Sequence, residues 1–549
     1  MSDDPAPPRE RPSWGLALAL ALLFVLLGGT QLDRYGVTWD EALGDFFFGE
    51  RYLSYFLSFD ARYLDFEADP YPEGHVPDLR ASPFRVRPWE YYPLANILAA
   101  ATSRVTSAAG LFDPLDGFHA VNLWLGAGFL VLLFVFAEMR WGLAPALLAS
   151  VGLLSMPRVV CHALANIKDF PEMVLFSAAL LAFVTAWEKG SVRGVLGAGA
   201  LTGLALAAKA NALFLAPIYL LCLIVGGLPN VWEGRFRELA AAGLGAAALG
   251  VALPVALWPY LWPDPIGRIG EHLSYVSGQV FQVREESLLS PLQALLFTTP
   301  PLMLLAGAIG LIPLAQALRR RDRLAALLFS WTLVTLGRMY LPGAVNFDGI
   351  RHFLELLPAL TLLAAWGAFW LQERVPRAWG VPLLVGLVIS GSLVASVRAH
   401  PHQIAYWNAL TGGTPGAFQR GLPQAGDYWG MSYRQGLEWI RENAPEGSVL
   451  AVPLIEHAVA VQAPLRLRSD IGLAHISIPQ TPQVPEGAVQ MLRGLGSERP
   501  VFVMYVVRRD WRNRLTDECD ALPAVAEWDL EGAVLLRIVR YPQSPIAPL

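Results

Sequence analysis

The sequence predicts a polytopic α-helical membrane protein with a small α/β domain at its C-terminal end. Hydrophobic residues make up 54% of the 549 residues, the mean hydropathy is +0.42, and only 16% of the residues are charged. Soluble domains carry about 25% charged residues, so one soluble core does not account for this chain. Long apolar runs fill the chain to about residue 398, and β-rich runs bounded by turn residues follow.

The first apolar run, 14–32, follows a short tail that contains Arg9 and Arg11. By length it suits either a signal peptide or a spanning helix. We favour an uncleaved helix with a cytoplasmic tail of residues 1–13, because the run is long for a signal peptide and lacks a small-x-small cleavage site before Gln31.

Apolar runs of spanning length recur along residues 14–398, the predicted transmembrane domain. A spanning helix needs about 20 mostly apolar residues. About twelve to thirteen transmembrane helices are predicted, with candidate runs at 14–32, 92–109, 118–137, 142–160, 172–188, 194–209, 211–228, 238–260, 292–318, 323–342, 351–371 and 379–398. The loop 33–91 between the first two runs is long and rich in acids and aromatics.

Lysine and arginine mark alternate short loops, which predicts that those loops are cytoplasmic. They are Lys189 and Arg193, Arg235 and Arg237, Arg319, Arg320, Arg321 and Arg323, and Arg374 and Arg377. The loops at 33–91, 161–171, 261–290 and 342–350 are then expected outside. Counting crossings from 33–91 puts 161–171 inside instead, and we suspect that run 142–160 does not cross fully.

From residue 399 to 549 the sequence predicts an extracytoplasmic α/β domain. An amphipathic helix ends after Trp439, and runs at about 448–453, 500–507 and 533–539 have the composition of short strands.

Several classes of protein are excluded. The net charge is −5 and there is no basic block, which argues against nucleic-acid binding. The three cysteines are too far apart in sequence to predict a metal site or a disulfide framework. Walker, GxSxG, HExxH and dinucleotide motifs are missing from the sequence.

Carboxylates cluster near the predicted outer ends of the helices. Asp40 and Glu41 follow the first run, Glu90 precedes the second, and Asp169 precedes a later one. Acids at a membrane surface are functional candidates, either as bases for an acceptor or as ligands of a divalent cation. A purely structural alternative is helix capping by Asp169 and an interfacial helix start at Asp40.

Cationic side chains in the same regions are candidates for binding an anionic substrate such as a phosphate. They are Lys168, Lys209, Arg351, His352, Arg85 and Arg87. Lys209 stands within an apolar stretch, where a lysine is expected to pair, to snorkel or to contact a ligand.

Together these motifs resemble the GT-C superfamily of polyprenyl-phosphate-sugar-dependent glycosyltransferases, in the branch of protein mannosyltransferases and aminoarabinose transferases. The matching segments are Trp39-Asp40-Glu41, Glu90 with Pro93-Leu94, Asp169-Phe170-Pro171, the surroundings of Lys209, Arg351-His352 with Pro358, and residues 400–430. The resemblance covers most of residues 10–440.

The resemblance implies an inverting transfer of a sugar from a polyprenyl-phosphate donor to a protein, lipid or glycan acceptor at the outer face of the membrane. Asp40 is then the expected general base with Glu41 beside it, and Glu90 and Asp169 orient the acceptor or balance charge. Lys209, Arg351, His352 and Lys168 are expected to bind the donor phosphate. No cofactor is firmly implied, and a divalent cation is left open.

The chain departs from the family pattern around the phosphate. Tyr91 stands where aminoarabinose transferases carry a lysine, and Ala208 and Ala210 flank Lys209 where threonine and glycine are usual. Lys168, Arg351 or an arginine of 80–87 is expected to substitute.

Two other functions remain open from the sequence: a transporter or flippase for a lipid-linked substrate, and a non-catalytic assembly subunit. A transporter predicts paired halves with ionisable residues near the middle of the membrane. The composition suggests a bacterial inner-membrane protein. The sequence names neither the sugar nor the acceptor.

Overall fold

The fold is known from a computed structural model, which describes residues 12–66, 87–228, 230–281, 289–341, 344, 348–375, 379–422, 424–478 and 481–542. The predicted tail 1–13 and the loop 33–91 therefore lie partly outside the described residues, and Arg85 lies wholly outside them.

Helices dominate the part of the chain before residue 400. They are α1 (Trp14–Gly29), α2 (Phe46–Ser58), α3 (Pro93–Ala108), α4 (Pro114–His119), α5 (Val121–Trp141), α6 (Leu143–Leu154), α7 (Pro157–Ala165), α8 (Asp169–Lys189), α9 (Val192–Ala208), α10 (Leu215–Gly226), α11 (Phe236–Leu257), α12 (Pro265–Phe281), α13 (Ser290–Thr298), α14 (Pro301–Arg319), α15 (Arg323–Gly337), α16 (Leu356–Gln372) and α17 (Gly380–Ala399).

Six helices among the described residues are long and apolar enough to cross a membrane. They are Trp14–Arg34, Pro114–Trp141, Asp169–Lys189, Phe236–Leu257, Pro301–Arg319 and Gly380–Ala399. The pair α6 and α7 is bent by 60° and gives a seventh if it counts as one span, and three shorter apolar helices accompany these. The polytopic helical class is confirmed, whereas the exact number of crossings stays a prediction.

The predicted crossing at 92–109 corresponds to α3, which is in neither group of apolar helices. Its polar residues include Asn96 and Arg104, and the Arg104 Nη2 lies 2.6 Å from the Glu50 Oε2 of α2. A charged pair on a helix that packs against α2 favours an interfacial position over a span. Without that crossing, the loop at 161–171 returns to the side predicted by the basic loops. The 60° bend between α6 and α7 fits the suspicion that 142–160 does not cross fully, so either α3 or this pair accounts for the discrepancy and the assignment stays a prediction.

Close helix packing relies on small residues. A Cβ on Gly310 of α14 would lie 1.9 Å from the Leu363 carbonyl oxygen of α16. A Cβ on Gly199 of α9 would lie 2.4 Å from the Ala246 Cα of α11. Glycine lets the helix backbones approach closely. Helices in lipid associate through such close packing, because moving an apolar surface from lipid into a helix interface gives no hydrophobic stabilisation.

The basic turns gather at one end of the helices. Arg235 donates to the Gly190 carbonyl at 3.3 Å, the Arg140 Nη2 lies 2.6 Å from the Glu188 Oε2, and the Arg323 guanidinium lies 6.0 Å from the ring centroid of Trp187.

The remainder forms an α/β domain. Its helices are α18 (Gly413–Gln419), α19 (Tyr433–Asn443), α20 (Glu456–Arg466), α21 (Ala488–Glu498) and α22 (Arg514–Asp520), and its strands are β1 (Val449–Ala451), β2 (Gly472–Ala474), β3 (Val501–Val506), β4 (Ala524–Leu530) and β5 (Ala533–Arg540). The sheet order is β2-β1-β3-β5-β4, parallel among the first three strands and antiparallel at β5 and β4. The three predicted strands correspond to β1, β3 and β5.

Buried ion pairs dock this domain onto the helices. The Arg434 Nη1 lies 2.6 Å and the Arg466 Nη2 lies 3.1 Å from the Asp116 Oδ1, and all three residues are buried. This contact brings loops of the α/β domain over the end of the helices that carries the predicted acids.

Candidate active site

Asp40 lies at the start of a helical segment that follows α1. The turn Glu41–Asp45 behind it is π-helical and leads directly into α2. Single π turns inside helices occur frequently at functional sites. The Asp40 side chain keeps 24% of its surface exposed, so a substrate group can reach its carboxylate.

Arg351 connects three carboxylates. Its Nη1 lies 2.8 Å from the Asp40 Oδ2 and 3.6 Å from the Asp169 Oδ2, and its Nη2 lies 2.7 Å from the Asp348 Oδ2. The guanidinium also lies 4.8 Å from the ring centroid of Trp429. Since arginine presents several donors in one plane, it fixes the relative positions of these acids.

Asp169 is held from several sides at the first turn of α8. The Asn166 Nδ2 donates to its Oδ2 at 2.8 Å, and the Asn166 Oδ1 accepts from its backbone N–H at 2.8 Å. The Lys209 ammonium, at the C-terminal end of α9, forms an ion pair with it. Only 1% of the Asp169 side chain is exposed, so its carboxylate contacts these protein groups and not solvent.

Lys168 stands between the acids and the aromatic side of the site. Its Nζ lies 4.0 Å from the Asp40 Oδ2 and 5.3 Å from the ring centroid of Tyr91. Burial alone lowers the pKa of Lys168, but Asp40 and Asp45 outweigh it and raise the pKa above its usual range. The lysine therefore stays charged, with 18% of its side chain exposed.

Gly44 explains why Tyr91 fits here. A Cβ at that position would lie 2.4 Å from the Tyr91 Cζ, so the π-helical turn can pack against the ring only with glycine.

Asp40 is held as a carboxylate. Burial raises its pKa, but Arg351 and then Lys168 more than compensate, so the pKa lies below the usual value for an aspartate. A charged carboxylate that is still reachable can accept a proton.

The structure does not bring every predicted site residue into this cluster. Glu41 accepts from the Thr38 backbone N–H at 2.8 Å and lies 3.2 Å from the His119 Nε2, with 1% of its side chain exposed. These contacts give Glu41 a role in holding the loop, while Asp40 faces the cations.

Glu90 lies at the edge of the cluster. Its Oε1 is 3.6 Å from the Arg87 Nη1, and 14% of its side chain is exposed. Burial raises the pKa of Glu90 above its usual value, and the opposing effect of Arg87 and Lys168 is smaller.

His352 does not fit the predicted role of a cation. Burial, then Arg351 and Lys209, holds its pKa well below the usual value for histidine, so it is neutral. Its carbonyl oxygen accepts from the Asn211 Nδ2 at 2.9 Å and from Arg338. Through its backbone carbonyl, His352 connects the segment that carries Arg351 with Asn211 and Arg338.

Sequence reasoning missed the contributions of Asp348, Asp45 and Trp429. Asp348 lies three residues before Arg351, which was the one available signal for its pairing. Asp45 accepts from the Asn96 Nδ2 at 2.9 Å, and burial raises its pKa to about 7. Trp429 comes from a distant loop, which no local pattern connects with Arg351.

Among the described residues, no group of three His, Cys, Asp or Glu side chains has the arrangement of a metal site. The acids of the cluster are paired with Arg351, Lys168 and Lys209 instead. The arrangement can accept a proton at Asp40 and present positive charge beside it.

The chain resembles known glycosyltransferases in one sequence segment and in fold. Residues 118–258 match the family of dolichyl-phosphate-mannose-protein mannosyltransferases. The chain matches the crystal structure of ArnT from Cupriavidus metallidurans bound to undecaprenyl phosphate with a TM-score of 0.51 and 16% identity, over 96% of this chain and 97% of that one. No curated protein matches the sequence.

A weaker likeness connects the chain with AglB, an archaeal oligosaccharyltransferase from Archaeoglobus fulgidus that was solved with an inhibitory peptide and a dolichol-phosphate. The TM-score is 0.46 and the identity 12%, over 89% of this chain and 69% of that one. The family segment and the ArnT-like fold confirm the predicted resemblance to GT-C glycosyltransferases that use polyprenyl-phosphate-linked sugars.

Proposed function

We propose that this protein is an inverting glycosyltransferase that moves a sugar from a polyprenyl phosphate to an acceptor. The observation that carries the proposal is the ionised, reachable Asp40 beside Arg351 at 2.8 Å and Lys168 at 4.0 Å, within an ArnT-like fold. A base next to fixed cations suits a reaction in which a hydroxyl or amine attacks and a phosphate leaves.

In the proposed reaction, Asp40 takes the proton of the acceptor hydroxyl or amine. The acceptor atom attacks C1 of the sugar, and the bond from C1 to the phosphate oxygen breaks. The polyprenyl phosphate leaves with the electron pair, and attack opposite the leaving group inverts the configuration at C1. The reaction releases one polyprenyl phosphate for each sugar transferred.

The two lysines have different parts in this proposal. Lys168 is the more exposed, at 18% against 11% for Lys209, and it lies on the Asp40 side of the cluster. We assign the donor phosphate to Lys168 and Arg351, with Lys168 replacing the lysine that aminoarabinose transferases carry at the position of Tyr91. Lys209 then acts as a positioning residue that holds Asp169. Glu90 is assigned to the acceptor side.

We place the reaction at the outer face of a bacterial inner membrane. The basic turns gather at the end of the helices opposite the acids, and positively charged loops remain in the cytoplasm. The donor and acceptor therefore meet outside.

The test is transfer from a panel of radiolabelled polyprenyl-phosphate sugars in membranes that contain the wild-type protein or an equal amount of the D40N variant. Label in a new product with wild type alone supports the proposal and identifies the sugar. If an acceptor-rich lysate gives no product with any donor while the protein remains folded, the enzyme proposal fails. Movement of labelled donor across sealed vesicles would then favour the transporter.

A further inference from the structure

A cavity of about 360 Å³ lies at the C-terminal end of α17 and shares no residue with the Asp40 cluster. Its lining combines the last two turns of α17, the loop 406–414 and the β4–β5 turn of the α/β domain. A volume of this size accommodates a small ligand or the headgroup of a lipid.

The α17 wall changes from apolar to charged along the helix. Gly391, Val394, Ala395 and Arg398 are spaced by three, four and seven residues, so they share one face. At 1.5 Å of rise per residue, the backbone of Arg398 lies about 10 Å beyond that of Gly391 along the helix. An apolar lower part and a charged upper part match the order of acyl chain and headgroup in a lipid.

The β4–β5 turn adds Glu531 to the lining of the cavity. Glu531 and Gly532 form the two-residue turn between β4 and β5, with φ of 56° and 90°. Such turns favour Asn, Asp or Gly at the first position, so a glutamate is conformationally costly there. Gly413 leaves space for it, because a Cβ at 413 would lie 2.6 Å from the Glu531 Oε2.

The lining of the cavity thus includes one cation, Arg398, and one anion, Glu531. Within the described part of the chain, neither Arg398 nor Glu531 forms an ion pair within 4.0 Å with another residue. Two aromatic residues line the cavity, and Trp407 exposes only 7% of its surface, so Tyr406 alone offers a ring face and the two do not form a cage. This argues against a quaternary ammonium ligand, which aromatic faces recognise.

We propose that this cavity binds the headgroup of a zwitterionic phospholipid with a primary amine. The phosphate binds Arg398, the ammonium donates hydrogen bonds to Glu531, and one acyl chain runs along Val394 and Gly391. The lipid connects the α/β domain with the last helix of the membrane domain. The proposal does not depend on sugar transfer.

The test is native mass spectrometry of the full-length protein in detergent with dioleoyl phosphatidylethanolamine, phosphatidylglycerol or phosphatidylcholine. Wild type is expected to bind the ethanolamine lipid about tenfold more tightly than the other two. Only this lipid has an ammonium that donates to Glu531, and one charge-assisted hydrogen bond corresponds to about a tenfold change in affinity. Equal binding of all three lipids by wild type would overturn the proposal.

Variants locate the site. E531N suits the turn better than glutamate does, so it keeps the fold and is expected to remove the preference for ethanolamine. R398Q is expected to weaken all three lipids about tenfold, because each of them carries the phosphate that binds Arg398. Ala395→Leu, which fills the apolar part of the cavity, is also expected to weaken all three. The exposed residues Glu446 and Arg420 provide the controls E446N and R420Q, which should bind as wild type does. Unchanged lipid preference in E531N would refute the assignment.

Discussion

Lys168 and Lys209 allow a sharp test, because substitution by methionine should lower mainly the stability at Lys209 and mainly the transfer rate at Lys168. Lys209 pairs with Asp169, whose side chain is 1% exposed. Removing one partner of a buried pair typically costs about 3–5 kcal/mol. Since the Arg351 Nη1 remains 3.6 Å from Asp169 and Asn166 remains bonded to it, we expect K209M to cost about 3 kcal/mol of unfolding free energy, at the low end of that range.

Lys168 lies 4.0 Å from Asp40 and is partly exposed, so K168M should cost less than about 1 kcal/mol of stability. Its loss should instead slow transfer about 10- to 100-fold through kcat, because one charge-assisted contact with the leaving phosphate disappears. K168M thus acts as the matched control for K209M in stability.

The assay is SDS-induced unfolding of the purified proteins, followed by helicity, with transfer rates measured on the same samples. The double variant D169N/K209M should be more stable than the sum of the two single variants predicts, by about 1–3 kcal/mol. Equal destabilisation by K168M and K209M would refute the separate roles, and so would additive effects of D169N and K209M.

Two further predictions concern pH and metal ions. Burial raises the pKa of Asp45 to about 7, so the folded state holds this proton and its stability falls as the pH rises through about 7; wild type should lose about 2 kcal/mol between pH 5.5 and pH 8. D45N should flatten this dependence in unfolding experiments, and an unchanged slope would contradict the assignment. Because Lys168 and Arg351 supply positive charge at the site, incubation with EDTA should leave the transfer rate unchanged; a loss that Mg²⁺ or Mn²⁺ restores would instead establish a divalent cation at the site.

The class of fold and the candidate acids follow from the sequence because both depend on local patterns. Apolar runs predicted the positions of most long helices, and the acids at helix ends predicted Asp40 and Asp169. In the predicted crossing at 92–109, counting apolar residues gave no weight to Arg104, because its partner Glu50 belongs to another helix and no local pattern connects the two.

The pairing within the site was not predictable in this way. Arg351 and Asp40 are separated by 311 residues, and only the assembled bundle makes them neighbours. In the α/β domain, β2 has three residues and β4 is a sheet edge with polar residues, so neither shows the strong apolar run of β3. Partners chosen by tertiary packing leave no periodic signal in the sequence.

The most direct test of the central claim compares the transfer rates of D40N and D348N with that of wild type. Both aspartates bond to Arg351, at 2.8 and 2.7 Å, so the two substitutions disturb the arginine similarly. If Asp40 is the base, D40N should lose about 10²- to 10⁴-fold in kcat while D348N stays within about tenfold of wild type. Equal losses in the two variants, or a D40N rate close to that of wild type, would contradict the account.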